Sequence, residues 1–362
     1  METNLLKIAK HFQIEGEIKE IKPLGEGFIN DTYILKTVSA NTPNYLMQRK
    51  NKNIFTDVPA MMDNIERITQ HLKAKVREQG GDPMREAMTV TKTKDGKLYF
   101  KDEEGEFWAL CLFIQGSVTY EAADTPELAY AGGKGIGKFQ SMTSDFEGTL
   151  TDILPGFHNI RYRFKQWDEV LAKDPVGRKK ELAKEIDWIE ERRDEMLAFW
   201  ELVENGTIPT RVTHNDTKIN NILFDDKGDV LCVIDLDTVL SSTALNDFGD
   251  AIRSYTNTGL EDDKNLNKVS MDMEIFTAYT KGYLSETKSF LKQSEIDHLA
   301  FSAKYITYEQ VLRFLMDYID GDNYYKIKSP DHNLVRTHAQ YKLLQSIESQ
   351  YEKMKEVVKA NV

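Results

Sequence analysis

Residues 211 to 238 read RVTHNDTKINNILFDDKGDVLCVIDLDT. Two short apolar runs, Ile222 to Phe224 and Leu231 to Ile234, flank the turn-forming cluster Asp225-Asp226-Lys227-Gly228, so the stretch predicts a tight β-hairpin. Such a hairpin brings the residue before its first strand, Asn221, close to the residue after its second, Asp235. The loop in front, His214-Asn215-Asp216, then delivers Asp216 to the same edge.

A carboxamide and several carboxylates gathered at one hairpin end suit phosphoryl transfer from a nucleotide. The transferred group is anionic, so Mg²⁺ must sit on oxygen ligands carried by a rigid element, while a separate carboxylate receives the attacking hydroxyl. Asn221 and Asp235 suit the metal, with Asp237 as a candidate either to bridge or to support those ligands from behind, and Asp216 suits the hydroxyl. Lys218 can offset charge near Asp216 or a γ-phosphate. A single Asp beside a hairpin is ordinarily a solvated turn residue. It is the joint pattern H-x-D-x-x-x-x-N, then strand, turn and Ile-Asp, that carries the reading.

HNDTKINNILF followed by VIDLDT resembles the catalytic and metal segments of the aminoglycoside phosphotransferase and choline kinase superfamily. LGEGFINDTYIL at 24 to 35, DFGDAIR at 247 to 253 and FLMDYIDGDNYYKIKSPDHNLVRTHAQ at 314 to 340 extend the match, and the last of these is similar to the N-acetylhexosamine 1-kinase branch. The resemblance runs from about residue 5 to about residue 355. It implies an α+β, protein-kinase-like bilobal fold: an antiparallel-sheet N-terminal nucleotide-binding lobe over residues 1 to 116 and a mostly helical catalytic and sugar-binding lobe over 117 to 362. It further implies ATP as co-substrate, Mg²⁺, and phosphorylation of the anomeric hydroxyl of GlcNAc or GalNAc. Arg313 and Tyr324 would face that sugar beside Asp216. Choline, an aminoglycoside or another sugar are the rival acceptors, and a non-catalytic nucleotide-binding scaffold is the rival from another class.

Composition bounds the partners. The 362 residues carry 59 acids against 47 bases, a net charge of −12, with no basic stripe. Nucleic acid, which requires concentrated positive charge, is therefore not an expected partner. No apolar run approaches the length of a membrane span. The first residues, METNLLKIAKHFQIEGE, lack the apolar core of a secretory signal. Cys111 and Cys232 lie in apolar strand patterns and read as reduced, buried thiols, which points to a cytoplasmic chain, expected to be a monomer.

Along the chain, Leu5, Ile8, Ala9 and Phe12 recur at helical spacing. Strands are expected around 18 to 24 and 32 to 38, separated by Gly25-Glu26-Gly27-Phe28-Ile29-Asn30. By the resemblance, this turn covers the nucleotide phosphates, with Gly25, Gly27 and Asn30 as contacts. A third strand, YLMQRK from Tyr45, stands where a kinase fold carries a phosphate-binding lysine. The alignment puts Gln48 there, and strand alternation sends Gln48 and Lys50 to one face and Arg49 to the other. A helix over 59 to 79 carries Glu66, a candidate partner for a base of the third strand. Strands around 87 to 92, 97 to 101 and 106 to 113 lead into a hinge where Leu112 and Ile114 would receive the adenine, while Trp108 reads as core.

Gly132 to Lys138, GGKGIGK, matches G-x-x-x-x-G-K, but Phe139 replaces the Ser or Thr that a Walker loop uses for Mg²⁺. Its glycines read instead as a tight helix-packing surface. The segment 177 to 205 reads as an amphipathic surface helix, and further helices are expected around 265 to 284, 295 to 319 and 337 to 357. In DFGD, Asp250 is expected to hold the catalytic loop through backbone or His214 contacts, which gives His214 a structural role.

Overall fold

A computed structural model describes residues 2 to 25 and 29 to 362, with backbone only at Glu2 and Thr3. The architecture is bilobal and protein-kinase-like, with an antiparallel β-sheet lobe and a helical lobe. Two compact units divide the described chain. One holds the residues up to Thr119 together with Asp145–Leu154 and Asn221–Ser241; the other holds Tyr120–Ser144, Pro155–Asn220 and Ser242–Val362.

In the sheet unit, α1 (Glu2–Ala9) precedes β1 (Ile18–Pro23), β2 (Asp31–Thr37), β3 (Tyr45–Lys50), α2 (Val58–Glu78), β4 (Phe100–Lys101) and β5 (Phe107–Leu112). The strands pair antiparallel in the order β1-β2-β3-β5-β4. Side chains alternate across a strand, so Tyr45 and Met47 enter a core with Leu35, Ile21, Trp108 and Leu110 that α1 closes with Leu5, Ile8 and Ala9. The Trp108 indole N–H, which burial would otherwise leave unpaired, donates to Asp102 Oδ2 at 2.8 Å. Asp57 caps α2 through the Ala60 N–H, and Pro59 occupies its first turn, where a missing N–H costs nothing.

The strand expected over 87 to 92 does not form. Thr91 N–H reaches the Leu110 carbonyl and Leu112 N–H the Thr89 carbonyl, which leaves a single bridge at Val90 and Cys111. Beyond it Thr93 is drawn into a turn, because its hydroxyl accepts the Lys97 N–H at 2.8 Å. The strand expected over 97 to 101 shrinks to β4.

In the same unit, Ile222–Phe224 and Val230–Val233 form the predicted hairpin, with Ile222 opposite Val233 and Leu223 opposite Cys232. The Asp225 carboxylate accepts the N–H groups of Lys227 and Asp229, both at 2.9 Å, and Gly228 takes φ 85°, a conformation that favours glycine. Both cysteines are buried thiols.

The helical unit contains α3 (Pro126–Thr143), α4 (Ile160–Lys173), α5 (Ala183–Glu190), α6 (Arg193–Glu204), α7 (Ala244–Tyr255), α8 (Met273–Thr287), α9 (Gln293–Ile296), α10 (Leu299–Asp320) and α11 (His332–Asn361). The continuous helix expected over 177 to 205 is broken into a 3-10 turn, α5 and α6. Its break at 191 to 192 is held by Arg192, which donates to the Trp188 carbonyl at 3.0 Å and ion-pairs with Glu348. GGKGIGK lies inside α3. There a Cβ on Gly133 would collide with the Tyr279 carbonyl of α8, and one on Gly282 with the Tyr130 carbonyl of α3. The glycines thus let two backbones touch, as a packing surface requires. Among the described residues no helix is long and apolar enough to cross a membrane.

Candidate active site

In the helical unit, the loop from His214 to Thr217 is held through its backbone N–H groups. Thr243 caps α7, and Asp247 and Asp250, three residues apart on that helix, point their carboxylates at the loop. Asp247 Oδ2 accepts the His214 N–H at 3.0 Å and Oδ1 the Asn215 N–H at 2.7 Å. Asp250 Oδ2 accepts the Thr217 N–H at 2.9 Å, while its other oxygen pairs with Arg253 at 3.1 Å. Gln140 of α3 adds a donor to Asp247 at 2.8 Å. Burial is the largest influence on the Asp247 carboxyl and pushes it up, against the two peptide donors and Gln140.

His214 is buried, and its Nδ1 accepts the Asp216 N–H at 3.2 Å. The structural role expected for His214 is therefore what its contacts describe. Asn215, buried and non-glycine, holds φ 65°, a strained turn that immediately precedes Asp216. The Asp216 carboxylate lies 2.9 Å from Lys218 Nζ, and this pairing holds the ammonium above the usual lysine range.

In the sheet unit, the hairpin brings Asn221 and Asp235 to one end: the Ile234 N–H, next to Asp235, donates to the Asn221 carbonyl at 2.9 Å. Asp235 takes φ 60° and ψ 56°, and so starts the 3-10 turn Leu236–Thr238 that carries Asp237. Both Asp237 oxygens are occupied. Lys50 Nζ lies 2.7 and 2.8 Å from them, and Asn30 Nδ2 is 2.7 Å from Oδ2.

Gln48 and Lys50 share a face as alternation predicts, with Lys50 Nζ donating to Gln48 Oε1 at 2.6 Å, while Arg49 pairs with Asp31. The buried cation of β3 is thus Lys50, two residues beyond the position the alignment gave Gln48. Glu66 does not pair with a third-strand base. Its partner is Lys92, at 3.2 Å, because Lys50 is engaged by Asp237.

Gly25 has φ 68°, as a glycine turn requires, and Gly27 lies outside the described residues. Leu112 borders the α1 and sheet core, whereas Ile114 joins Leu223 and Cys232 in a second cluster edged by Met88, Leu231 and Ile234. For Mg²⁺ the donor types fit: this ion keeps waters and substrate phosphates and needs only one or two protein oxygen ligands, which Asn221 and Asp235 at the hairpin end would supply.

Arg313 and Tyr324 are brought together in the helical unit. The guanidinium carbon stands 5.7 Å from the Tyr324 ring centre, 5.6 Å from that of Phe157 and 5.6 Å from that of Tyr325. Its hydrogen bond is a long one to Gln310, 3.4 Å, and it makes no ion pair among the described residues. Asp317 shapes the tyrosine loop by accepting the N–H groups of Tyr324 and Tyr325 at 2.8 and 3.0 Å.

Sequence reasoning missed Phe157 and Tyr325, and also a buried trio centred on Glu309. Glu309 is 1% exposed, with His158 Nδ1 at 2.7 Å and Arg163 Nε at 3.2 Å. Although burial pushes the Glu309 carboxyl up, His158, Arg163 and Arg313 hold it down to about 2. A legible signal existed: Glu309 lies in the apolar stripe of α10 beside Tyr305, Tyr308 and Leu312, where a charge requires partners. Nothing in the sequence marks His158.

The model of the phosphotransferase enzyme family matches residues 20–274, well over half of the chain. Among solved structures, the chain is similar to an aminoglycoside phosphotransferase from Alicyclobacillus acidocaldarius subsp. acidocaldarius DSM 446, with 12% identity and a TM-score of 0.63 over 98% of this chain and 96% of that one. A microcompartment-associated aminopropanol kinase gives 15% identity and 0.63 over 98% of each chain. Choline kinase from Cryptosporidium parvum Iowa II gives 13% and 0.56 over 99% of this chain and 98% of that one. At these identities the likeness is one of fold.

Proposed function

The chain belongs to the phosphotransferase enzyme family, and from that premise we propose that it is a kinase carrying the γ-phosphoryl group of ATP to a hydroxyl of a small neutral acceptor. The finer part of the proposal is the acceptor: the anomeric 1-hydroxyl of an N-acetylhexosamine, GlcNAc or GalNAc. The solved structures named above are an aminoglycoside phosphotransferase, an aminopropanol kinase and a choline kinase, none of them an N-acetylhexosamine kinase.

The observation that supports a neutral acceptor is Arg313, a guanidinium walled by three aromatic rings and without an ion pair among the described residues. A cationic acceptor would meet a like charge there, whereas a sugar offers oxygen acceptors to the guanidinium and C–H faces to the rings. In this reading Arg313 and Tyr324 orient the sugar and Asp216 accepts a hydrogen bond from its 1-hydroxyl. As the new P–O bond forms and the bond to the ADP oxygen breaks, the hydroxyl proton passes to Asp216. Lys218 balances the Asp216 charge, Gly25 contributes its backbone N–H on the nucleotide side, Lys50 holds Asp237 in place, and Ile114 with its apolar neighbours offers a wall to the base. Asn221 and Asp235 would hold Mg²⁺, which when bound neutralises phosphate oxygens.

The test offers ATP and Mg²⁺ with GlcNAc, GalNAc, glucose, galactose, choline, aminopropanol and an aminoglycoside, and reads the attachment site by phosphorus-coupled NMR. The proposal expects a sugar 1-phosphate and ADP. A 6-phosphate would overturn the orientation, and turnover confined to the amines would overturn the neutral acceptor. Asp216→Asn is expected to keep acceptor binding and to lower kcat by about 100- to 10,000-fold; unchanged turnover would show that another group takes the proton.

A further inference from the structure

His158 stands outside every motif of the sequence, yet it joins two parts of the helical unit that the reaction needs. It is 4% exposed and holds φ 55°, a left-handed conformation that a β-carbon disfavours. Three contacts fix it there. Its Nδ1 meets Glu309 Oε2 at 2.7 Å, its Nε2 lies 3.4 Å from the Asn215 carbonyl oxygen, and its own carbonyl accepts the Tyr305 hydroxyl at 2.7 Å. The same Tyr305 oxygen accepts the Ile160 N–H at 3.2 Å, which ties the start of α4 to α10.

The Asn215 carbonyl belongs to the peptide bond that leads into Asp216. On its other side Asn215 is gripped by Asp247 through its N–H, so His158 and Asp247 hold the strained turn from both ends. Glu309, which orients the imidazole, lies one helical turn before Arg313, and Phe157, the residue before His158, is one of the three rings around that guanidinium. A non-glycine residue kept in the left-handed region, in a buried position, with every polar contact of its ring directed at the catalytic loop or at a buried acid, is a structure held against its own backbone preference.

We propose that His158, oriented by Glu309 and Arg163, is a positioning residue that fixes the Asn215 turn and with it the aim of Asp216, and that it links this turn to the Arg313 acceptor box. As far as turnover is concerned, the proposal rests on the kinase reading above; the geometry of the turn does not. Loss of the imidazole frees the Asn215 carbonyl, relaxes the left-handed turn and moves the Asp216 carboxylate, so kcat falls. Nucleotide contacts, which lie in the other unit, are left alone.

His158→Gly is the informative variant, because glycine removes the ring while easing the left-handed backbone; Glu309→Gln is the second, removing only the charge that orients the ring. Two readouts are taken on each full-length protein. The first is amide hydrogen exchange over the 211 to 220 peptide, where Asn215 and Thr217 are held by Asp247 and Asp250. The second is the split between kcat and KM on whichever acceptor the wild type phosphorylates, with added imidazole tested for rescue of His158→Gly. Faster exchange confined to 211 to 220, a kcat lowered roughly 10- to 100-fold as for a misplacement of about 1 Å, an unchanged KM for ATP and recovery with imidazole are expected. Wild-type exchange over 211 to 220 in both variants overturns the proposal, even if the wild type proves to phosphorylate none of the acceptors and the kinase reading itself fails. Exchange that rises throughout the unit without imidazole rescue also overturns it, since His158 would then be a plain packing residue.

Discussion

Lys50 spends its ammonium on three acceptors, the two oxygens of Asp237 and Gln48 Oε1, in a place where its side chain is 2% exposed. A buried pair of this kind owes little net stability to its own attraction, because desolvation offsets the Coulomb gain, but removing one partner leaves an uncompensated charge. Lys50→Met is therefore expected to cost about 3 to 5 kcal/mol in denaturant unfolding. The double variant Lys50→Met with Asp237→Leu should be more stable than the single one, because no charge is then stranded. If the double variant is the weaker of the two, loss of the Asn30 bond to Asp237 outweighs the relief of the stranded charge. Strand alternation made half of this arrangement legible, since it sent Gln48 and Lys50 to one face and Arg49 to the other. What it could not show is which side chain reaches the acid, because Asp237 lies 187 residues away along the chain. The same limit hid His158, whose partner Glu309 is 151 residues distant, whereas the approach of Asn221 to Asp235 was legible because one local hairpin sets it.

At the scale of elements, the α3 and α8 pair turns a motif that mimics a phosphate loop into a packing rule. Gly133 and Gly282 each face a backbone carbonyl of the partner helix, and a carbonyl cannot rotate away as the end of a long side chain can. Gly133→Ala and Gly282→Ala are expected to destabilise by about 1 to 3 kcal/mol or more through overpacking, despite the gain in helix propensity that alanine brings in an exposed helix. Thermal unfolding of either variant decides the matter, and a raised midpoint would mean that the helices part at no cost. The rejection of the Walker reading was legible from one residue, Phe139, and from the helical run around it. Other elements were less so. The 87 to 92 segment has a strand's composition, but its Thr93 hydroxyl competes for the backbone of the turn at Lys97 and ends the pairing after one bridge. The 177 to 205 segment has a helix's periodicity, and only the side-chain bond from Arg192 to the Trp188 carbonyl explains the interruption.

For the whole molecule, composition and chain order divide the protein at a hinge, while the fold assigns Asn221–Ser241 to the sheet unit. The cause is a pairing that order along the chain conceals: Phe224 exchanges both of its backbone hydrogen bonds with Val118, at 2.8 and 2.9 Å. Stability of the whole also carries a signature of one buried acid. Glu309 has a folded-state value of about 2 against an ordinary 4.5, so the folded protein binds its proton less readily than the unfolded chain. The sign follows from linkage: the contribution is fully present above about pH 4.5 and is lost as pH falls toward 2, with a size on the order of 3 kcal/mol. Asp247 acts in the opposite sense. Burial raises it, so its contribution is present in acid and lost as pH rises through its folded value. The net acid limb of the wild type mixes the two, and the variant Glu309→Gln separates them. The stability difference between wild type and Glu309→Gln, measured by urea unfolding at several pH values, is expected to be large at pH 6 and to shrink as the pH approaches 2. Parallel curves over that range would mean that the contacts of Glu309 with His158 and Arg163 do not depend on its charge, and the electrostatic account of the trio would fail while its packing remained.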